Sequence, residues 1–206
     1  DTILPTVAAT PIAGTYNSVQ SILFFESEPS IIYYTLDGNN PTTSSPIYLG
    51  PISIGSDVTL KYFAKDTAGN SGIISTSLYT IDTTIPSVTA TPGTGLYNSA
   101  QSVTLTPSEP STIYYTTDGN DPTTSSPIYS TPISLSDNTT LKYFAKDTAG
   151  NSGIISTSLY TIDTILPTVT ATPIAGAYNS TQSVTLTQSE PSTIYYTTDG
   201  NDPTTS

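Results

Sequence analysis

The 206-residue sequence contains no cysteine, histidine, methionine or tryptophan. A chain without cysteine forms no disulfide bond and offers neither a thiolate nucleophile nor a cysteine zinc site. Without histidine as well, a nucleophile would depend on a lysine or a carboxylate as its general base. A glycosidase would need two carboxylates flanking a cleft, and a small repeated β-sandwich is not expected to form one. We therefore predict that the chain is not an enzyme.

Positive charge is also scarce. Lys and Arg together number 4 against 16 acidic residues, so the formal net charge is −12 at pH 7. Nucleic acid is excluded as a partner, because nothing would neutralise its phosphates. Three interpretations of the acidity stay open: self-repulsion that keeps an extended array in solution, adaptation to salt, or cation binding by clustered carboxylates. The composition is rich in Ser and Thr and poor in Lys, which favours an extracellular or cell-surface location, and no stretch predicts a membrane span.

What the sequence does contain is an internal repeat. A Tyr-Tyr-Thr-x-Asp-Gly motif recurs with a spacing of 81 residues, its aspartates being Asp37, Asp118 and Asp199. An Asp-Thr-x-x-Pro motif recurs with the same spacing, opening at Asp1, Asp82 and Asp163. A fixed period defines the structural unit before any local pattern is interpreted. We predict three units, at residues 1–81, 82–162 and 163–206, the third incomplete.

Turn residues divide each unit into short segments of β-branched and aromatic residues, which predict strands. In the second unit we label them A to G: 88–91, 101–106, 111–117, 128–129, 133–135, 139–146 and 154–162. Seven short strands between turns predict an all-β fold of tandem immunoglobulin-like Greek-key sandwiches. On strand F, Tyr143 lies two residues before the small residue Ala145, which matches a tyrosine corner.

No flexible linker separates the units, since Ile162 leads directly into Asp163 and Thr164. We therefore expect neighbouring units to touch and stand in a rod, with roughly 35–40 Å per unit. The third unit is expected to hold strands A to C only, which would leave sheet edges open. Either the chain continues, or another molecule supplies the missing strands, as in donor-strand polymers.

The motifs resemble a known family. The string from Tyr115 to Tyr129, with Asp118-Gly119 at its turn, is similar to the chitobiase/β-hexosaminidase C-terminal immunoglobulin-like domain. The segment from Lys146 to Ser152 and the Asp-Thr-x-x-Pro motifs are similar to tandem repeats of bacterial or archaeal surface proteins. The resemblance implies an immunoglobulin-like fold, an accessory or surface role, and no catalytic residues.

One candidate site is a calcium site. In this fold the start of strand A lies at the same pole as the B–C and F–G loops. That placement gathers Asp82, Glu109, Asp147 and Asn151 between the first two units, and oxygen ligands from several loops suit Ca²⁺ better than Mg²⁺. The equivalent set in the first unit is Asp1, Glu28, Asp66 and Asn70. Asp and Asn also cap turns, so turn formation is the alternative explanation.

Two candidate contact surfaces stand out. Tyr114 on strand C and Phe144 on strand F are expected to be outward-facing neighbours. There they would stack on a sugar ring, pair with each other across the strands, or contact another chain. Leu23, Phe25 and Ile31 in the first unit replace threonines of the second unit on an outward face. This strip predicts either a contact surface for self-association or drift in a terminal repeat.

Two sequons complete the set of candidate sites. Asn138-Thr139-Thr140 and Asn179-Ser180-Thr181 match the N-glycosylation acceptor pattern.

From these features we expect a non-enzymatic extracellular structural protein: a cell-surface stalk, adhesin shaft, surface layer or filament that assembles by end-to-end and lateral contacts. The alternative is an accessory, carbohydrate-binding region of a secreted polysaccharide-degrading enzyme.

Overall fold

The structure is a computed structural model that describes residues 2–204, and its regular elements are all β-strands. The first repeat contains β1 (Val7–Thr10), β2 (Gly14–Tyr16), β3 (Gln20–Glu26), β4 (Ser30–Thr35), β5 (Ile52–Ile54), β6 (Val58–Asp66) and β7 (Ser75–Ile81). The second repeat contains β8 (Val88–Thr91), β9 (Gly95–Tyr97), β10 (Gln101–Pro107), β11 (Ser111–Thr116), β12 (Ile133–Leu135), β13 (Thr139–Asp147) and β14 (Ser156–Ile162). The third contains β15 (Val169–Thr172) and β16 (Thr185–Gln188). The described residues include no helix long and apolar enough to cross a membrane.

Each complete repeat folds into two sheets. In the first repeat the strand orders are β1-β3-β5 and β2-β7-β6-β4, and the second repeat has β8-β10-β12 and β9-β14-β13-β11. Neighbours are antiparallel except the pairs β2–β7 and β9–β14, which are parallel. Strands that are distant in sequence thus become neighbours, as in a Greek key. The predicted all-β class and the tandem sandwiches are confirmed.

The core lies between the two sheets because the strands alternate apolar and polar residues. On β10, Val103 and Leu105 are buried while Thr104 between them is exposed. On the facing sheet, Leu141 of β13 and Tyr160 of β14 are buried in the same cluster. Alternation that directs apolar side chains inward from both sheets gives each repeat its own hydrophobic core.

Three predicted strands require correction. The segment 128–129 forms only an isolated bridge, between Ile128 and Tyr114, because Pro127 has no N–H to extend the ladder. The last strand begins at Ser156 instead of residue 154. In the third repeat, the described residues of segment 192–198 form no strand. In the second repeat the equivalent β11 is held by β13, which has no counterpart in residues 163–204.

Strand β9 is not among the strands predicted for the second repeat, because Gly93 and Gly95 indicate a break in the chain. It forms because Gly95–Tyr97 pairs in parallel with the end of β14, a contact made only in the folded chain.

The tyrosine-corner assignment was wrong. The Tyr143 hydroxyl lies 3.1 Å from Ser158 Oγ on the neighbouring strand and bonds to no backbone carbonyl among the described residues. The hydroxyl that binds a distant carbonyl belongs to Tyr160, which donates to Pro92 O at 2.7 Å. Tyr79 donates in the same way to Pro11 O at 2.7 Å. The proline that accepts follows a cis peptide bond in each case.

The Asp118-Gly119 turn forms as predicted. Gly119 has φ of +81°, in the left-handed region that glycine adopts without strain. Asp118 Oδ1 accepts a hydrogen bond from Asn120 N at 3.0 Å. Bonds from the backbone and then the side chain of Asn120 hold the pKa of Asp118 below its usual value. The polar residues of this repeated motif therefore form a turn.

Candidate functional site

The chain passes from the first repeat to the second through residues 82–87, which we call the junction. Its first residue, Asp82, follows β7 directly, and its N–H donates to Tyr16 O of the first repeat at 2.9 Å. Its carbonyl accepts a hydrogen bond from Asn151 Nδ2 of the second repeat at 2.8 Å. Asp82 is therefore hydrogen-bonded to both repeats.

Three acidic side chains converge at this junction. Asp82 comes from the junction itself, Glu109 from the loop between β10 and β11, and Asp147 from the end of β13. One carboxylate oxygen of each lies within 4.8 Å of the corresponding oxygens of the other two. We call these three residues the carboxylate cluster. Of the four predicted ligands, the structure thus brings the three carboxylates together.

Asn151, the fourth predicted ligand, supports Asp147. Its Nδ2 donates to Asp147 Oδ2 at 2.7 Å, and its backbone N–H donates to Asp147 Oδ1 at 2.8 Å. Gly150 N also donates to Oδ1, at 2.7 Å. Burial by itself would raise the pKa of Asp147, but these bonds from Asn151 and Gly150 outweigh it and the pKa is lowered. Asp147 is thus held as an oriented carboxylate.

Glu109, unlike Asp147, has a carboxylate oxygen that no hydrogen bond stabilises among the described residues. Its Oε1 has less than 1 Å² of accessible surface and no hydrogen-bond partner among the described residues. Burial, and then the charges of Asp82 and Asp147, raise the pKa of Glu109 above its ordinary value. The ion pair between described residues is Lys142–Asp121, which lies at another turn, so no lysine neutralises the cluster.

The other repeats contain parts of the same arrangement. In the first, Asn70 Nδ2 donates to Asp66 Oδ2 at 2.7 Å, and Glu28 Oε1 is again buried without a partner among the described residues. The remaining predicted member, Asp1, lies outside the described residues. In the third, Asp163 and Glu190 line one pocket with a volume of about 550 Å³, and Glu190 Oε1 is buried with no partner in the described part of the chain.

The predicted aromatic pair forms, but it is not an open platform. Tyr114 and Phe144 stack with ring centroids 5.3 Å apart, and Phe144 is only 8% exposed. The first repeat contains the same pair, Tyr33 and Phe63, also at 5.3 Å. Phe144 faces outward from its strand as expected, yet its ring is covered, so the geometry is that of cross-strand packing. A sugar-binding role for the pair stays a prediction.

The apolar strip of the first repeat is accessible. Leu23 is 39% exposed, Phe25 60% and Ile31 47%. Phe25 and Ile31 line a groove of about 650 Å³ that also contains Leu49, which is 94% exposed. Its use as a contact surface stays a prediction.

Both sequon asparagines are exposed. Asn138 Oδ1 accepts a hydrogen bond from Ile162 N at 2.7 Å, and Asp57 makes the equivalent bond to Ile81 N in the first repeat. Asn138 therefore has a structural role in capping β14, which explains its presence without a glycan. Glycosylation at Asn138 and Asn179 stays a prediction.

Comparison with known proteins matches this repeat structure. The model of the family described as "Chitobiase/beta-hexosaminidase C-terminal domain" matches residues 11–77, 92–158 and 173–206. A comparison with curated proteins finds no match. Among solved structures, the fibronectin(III)-like modules of Clostridium thermocellum CbhA are similar at a TM-score of 0.44 and 15% identity, over 77% of this chain and 94% of that one. The chain belongs to the chitobiase/beta-hexosaminidase C-terminal domain family and carries that domain in tandem.

Proposed function

We propose that the chain is a non-enzymatic structural segment of an extracellular protein, in which successive repeats stand end to end as a stiff spacer. Such a segment would serve in a cell-surface stalk, an adhesin shaft, a surface layer or a filament. The observation that carries the proposal is Asp82, whose N–H binds the first repeat and whose carbonyl binds the second. A connection that is hydrogen-bonded on both sides restricts hinge motion between neighbouring domains.

The acidic side chains support a non-catalytic role. Asp118 is engaged in a turn, and Asp121 is paired with Lys142 at the surface. The carboxylate cluster lies where two repeats meet, and it includes neither a hydroxyl or thiol nucleophile nor a histidine base. These positions agree with domains whose work is to space and orient other parts of a protein.

The alternative is an accessory region of a secreted polysaccharide-degrading enzyme. The family description, which names chitobiase and β-hexosaminidase, supports this alternative. The aromatic pair supports it less, because Phe144 is covered and leaves no flat pair of rings for a sugar. A catalytic domain encoded beside this segment would favour the accessory role, whereas further repeats or an anchor would favour the spacer.

Small-angle X-ray scattering of the 206-residue chain tests the spacer. Two complete sandwiches in series, each roughly 35–40 Å long, should give a narrow distance distribution that extends to about 70–80 Å or more. Six Gly/Ser residues inserted between Thr83 and Thr84 should broaden it. The same insertion between Thr43 and Ser44, in an exposed loop, is the control and should not. A wild-type distribution as broad as that of the junction insertion would contradict a stiff spacer.

A further inference from the structure

We propose that the carboxylate cluster at the junction binds one calcium ion through Asp82, Glu109 and Asp147. The inference goes beyond the proposed function, because a bound ion would hold the junction whether the chain is a spacer or an accessory region.

The spacing of the carboxylates fits a single ion. Calcium–oxygen bonds are about 2.3–2.6 Å long, so two oxygens on one ion lie no more than about 5 Å apart. The three oxygens of the cluster lie within 4.8 Å of one another. They come from the junction, from the loop between β10 and β11 and from the end of β13, and separate segments allow the adjustment that a calcium site needs.

A second, independent observation is the buried oxygen of Glu109. Oε1 has less than 1 Å² of solvent-accessible surface, so it is not in contact with bulk water. It also accepts no hydrogen bond from any of the described residues. Such an atom is costly to bury unless something compensates it. The neighbouring acids are Asp82 and Asp147, which repel an ionised Glu109, and a cation held between the three carboxylates would remove this repulsion. Glu28 and Glu190 also have a buried Oε1 without a partner among the described residues, so the buried oxygen is a feature of the repeated loop.

The bonds of the cluster orient the carboxylates and leave room for an ion. Asp147 is held by Asn151 and Gly150, and Asp82 Oδ1 accepts from Thr84 N at 3.0 Å. An ionised carboxylate offers about four acceptor positions, so each of the two keeps free capacity. Asn151 positions two of the three acidic residues, because its Nδ2 donates hydrogen bonds to Asp82 O and to Asp147 Oδ2.

The ligand chemistry selects calcium. All three groups are carboxylates, and the chain has no histidine or cysteine that would attract zinc or copper. Magnesium usually keeps several waters and binds through only one or two carboxylates, whereas calcium accepts six to eight oxygens, including several carboxylates. An ion shared by the junction and the β13–β14 loop would fix the start of the second repeat against that loop.

Thermal unfolding in EDTA and in millimolar calcium chloride tests the site. The melting temperature should rise by about 10 °C when free calcium is 100-fold above its dissociation constant. Glu109→Gln should lose this rise. In EDTA it should melt no lower than wild type, because its amide can donate to the neighbouring carboxylates. The control, Asp118→Asn, alters an exposed turn carboxylate and should keep the full calcium response.

Calorimetric titration with calcium chloride gives the second readout. Glu109→Gln should bind about one ion fewer per chain than wild type, and Asp118→Asn should bind the same number. Equal melting temperatures of the wild type in EDTA and calcium would overturn the proposal. It would also be overturned if Glu109→Gln were destabilised equally in both solutions, which would show a purely structural role. A failed spacer test would leave both readouts unaffected.

Discussion

At the scale of single residues, two buried tyrosines hold parts of each sandwich that are far apart in sequence. Tyr160 is 2% exposed, and its hydroxyl bonds to Pro92 O across 68 residues of sequence. Its ring stacks on Tyr97, with centroids 6.1 Å apart. Tyr79 repeats the arrangement with Pro11 in the first repeat. Each tyrosine thus fastens the last strand of a repeat to the segment that follows its first strand.

Removing one of these hydroxyls should destabilise its repeat. We expect Tyr160→Phe to lower the free energy of unfolding by about 1–3 kcal/mol, since the carbonyl of Pro92 loses its donor in a partly buried hydrogen bond. Tyr97→Phe is the matched control, because the Tyr97 hydroxyl donates to Gly93 O at an exposed site where water can replace it. Urea unfolding measures both. Equal losses in the two variants would contradict a special role for Tyr160.

The same tyrosine predicts a pH dependence. Burial, and then the charge of Tyr143, raise the pKa of Tyr160 above 10.0, although a bond with Ser158 opposes them. The unfolded chain then ionises first, so this contribution to stability is complete below about pH 10 and is lost as the pH rises further. Unfolding measured between pH 8 and 11 should show stability falling at the alkaline end. The fall should be shallower in Tyr160→Phe.

At the scale of elements, the last glycine of the Asp-x-x-Gly-Asn-x-Gly segment shows how that segment meets the Asp-Thr-x-x-Pro motif. A Cβ added at Gly72 would collide with the carbonyl oxygen of the fully buried Pro5. Gly153 and Pro86 make the same close approach in the second repeat. The start of each sandwich therefore lies directly on the loop between its last two long strands. In the second repeat this loop begins directly after Asp147.

Filling that space should disturb the fold. We expect Gly72→Ala to cost about 1–3 kcal/mol, because a backbone carbonyl cannot move aside as a flexible side chain does. Gly50→Ala is the control in the same repeat, since a Cβ there meets nothing within 4 Å. Denaturant unfolding of both variants measures the difference. A Gly72→Ala protein as stable as the control would show that the strand start can shift freely.

At the scale of the whole molecule, the repeats share a scaffold and differ at the surface. Residues 59–81 and 140–162 are identical in sequence, whereas the strip at Leu23, Phe25 and Ile31 occurs only in the first repeat. Large exposed apolar groups close together commonly mark contact surfaces. Placed in one repeat of an array, such a strip is suited to lateral contact between chains.

Sedimentation velocity over a range of concentrations tests that use of the strip. Leu23→Thr with Phe25→Thr should reduce self-association while leaving the melting temperature nearly unchanged, since both side chains face outward. Ile73→Thr with Ile154→Thr removes two exposed but separate apolar groups and should have little effect. If the first double variant associates as strongly as wild type, the strip is not the contact.

The sequence by itself determined the repeat, its period, the all-β class and most strands, because alternation and turn residues are local signals. The convergence of Asp82, Glu109 and Asp147 could be predicted as well, since the topology of the fold sets which loops share a pole. Only the tertiary structure decided the rest. Strand β9 depends on a parallel partner that is distant in sequence, and no local pattern encodes such a partner.

The burial of a side chain distinguishes candidate residues that are of the same type and face the same way. Phe144 and Phe25 are both outward-facing aromatics, yet Phe144 is covered by its stacked neighbour and Phe25 is open. Tyr160, and not Tyr143, bonds to a distant carbonyl, because only the folded chain brings Pro92 within reach. Glu109 Oε1, which has no hydrogen-bond partner among the described residues, is likewise buried only by the folding of the chain. Hydrogen-bond partners are set by the packing of loops from different parts of the chain, and that packing exists only in three dimensions.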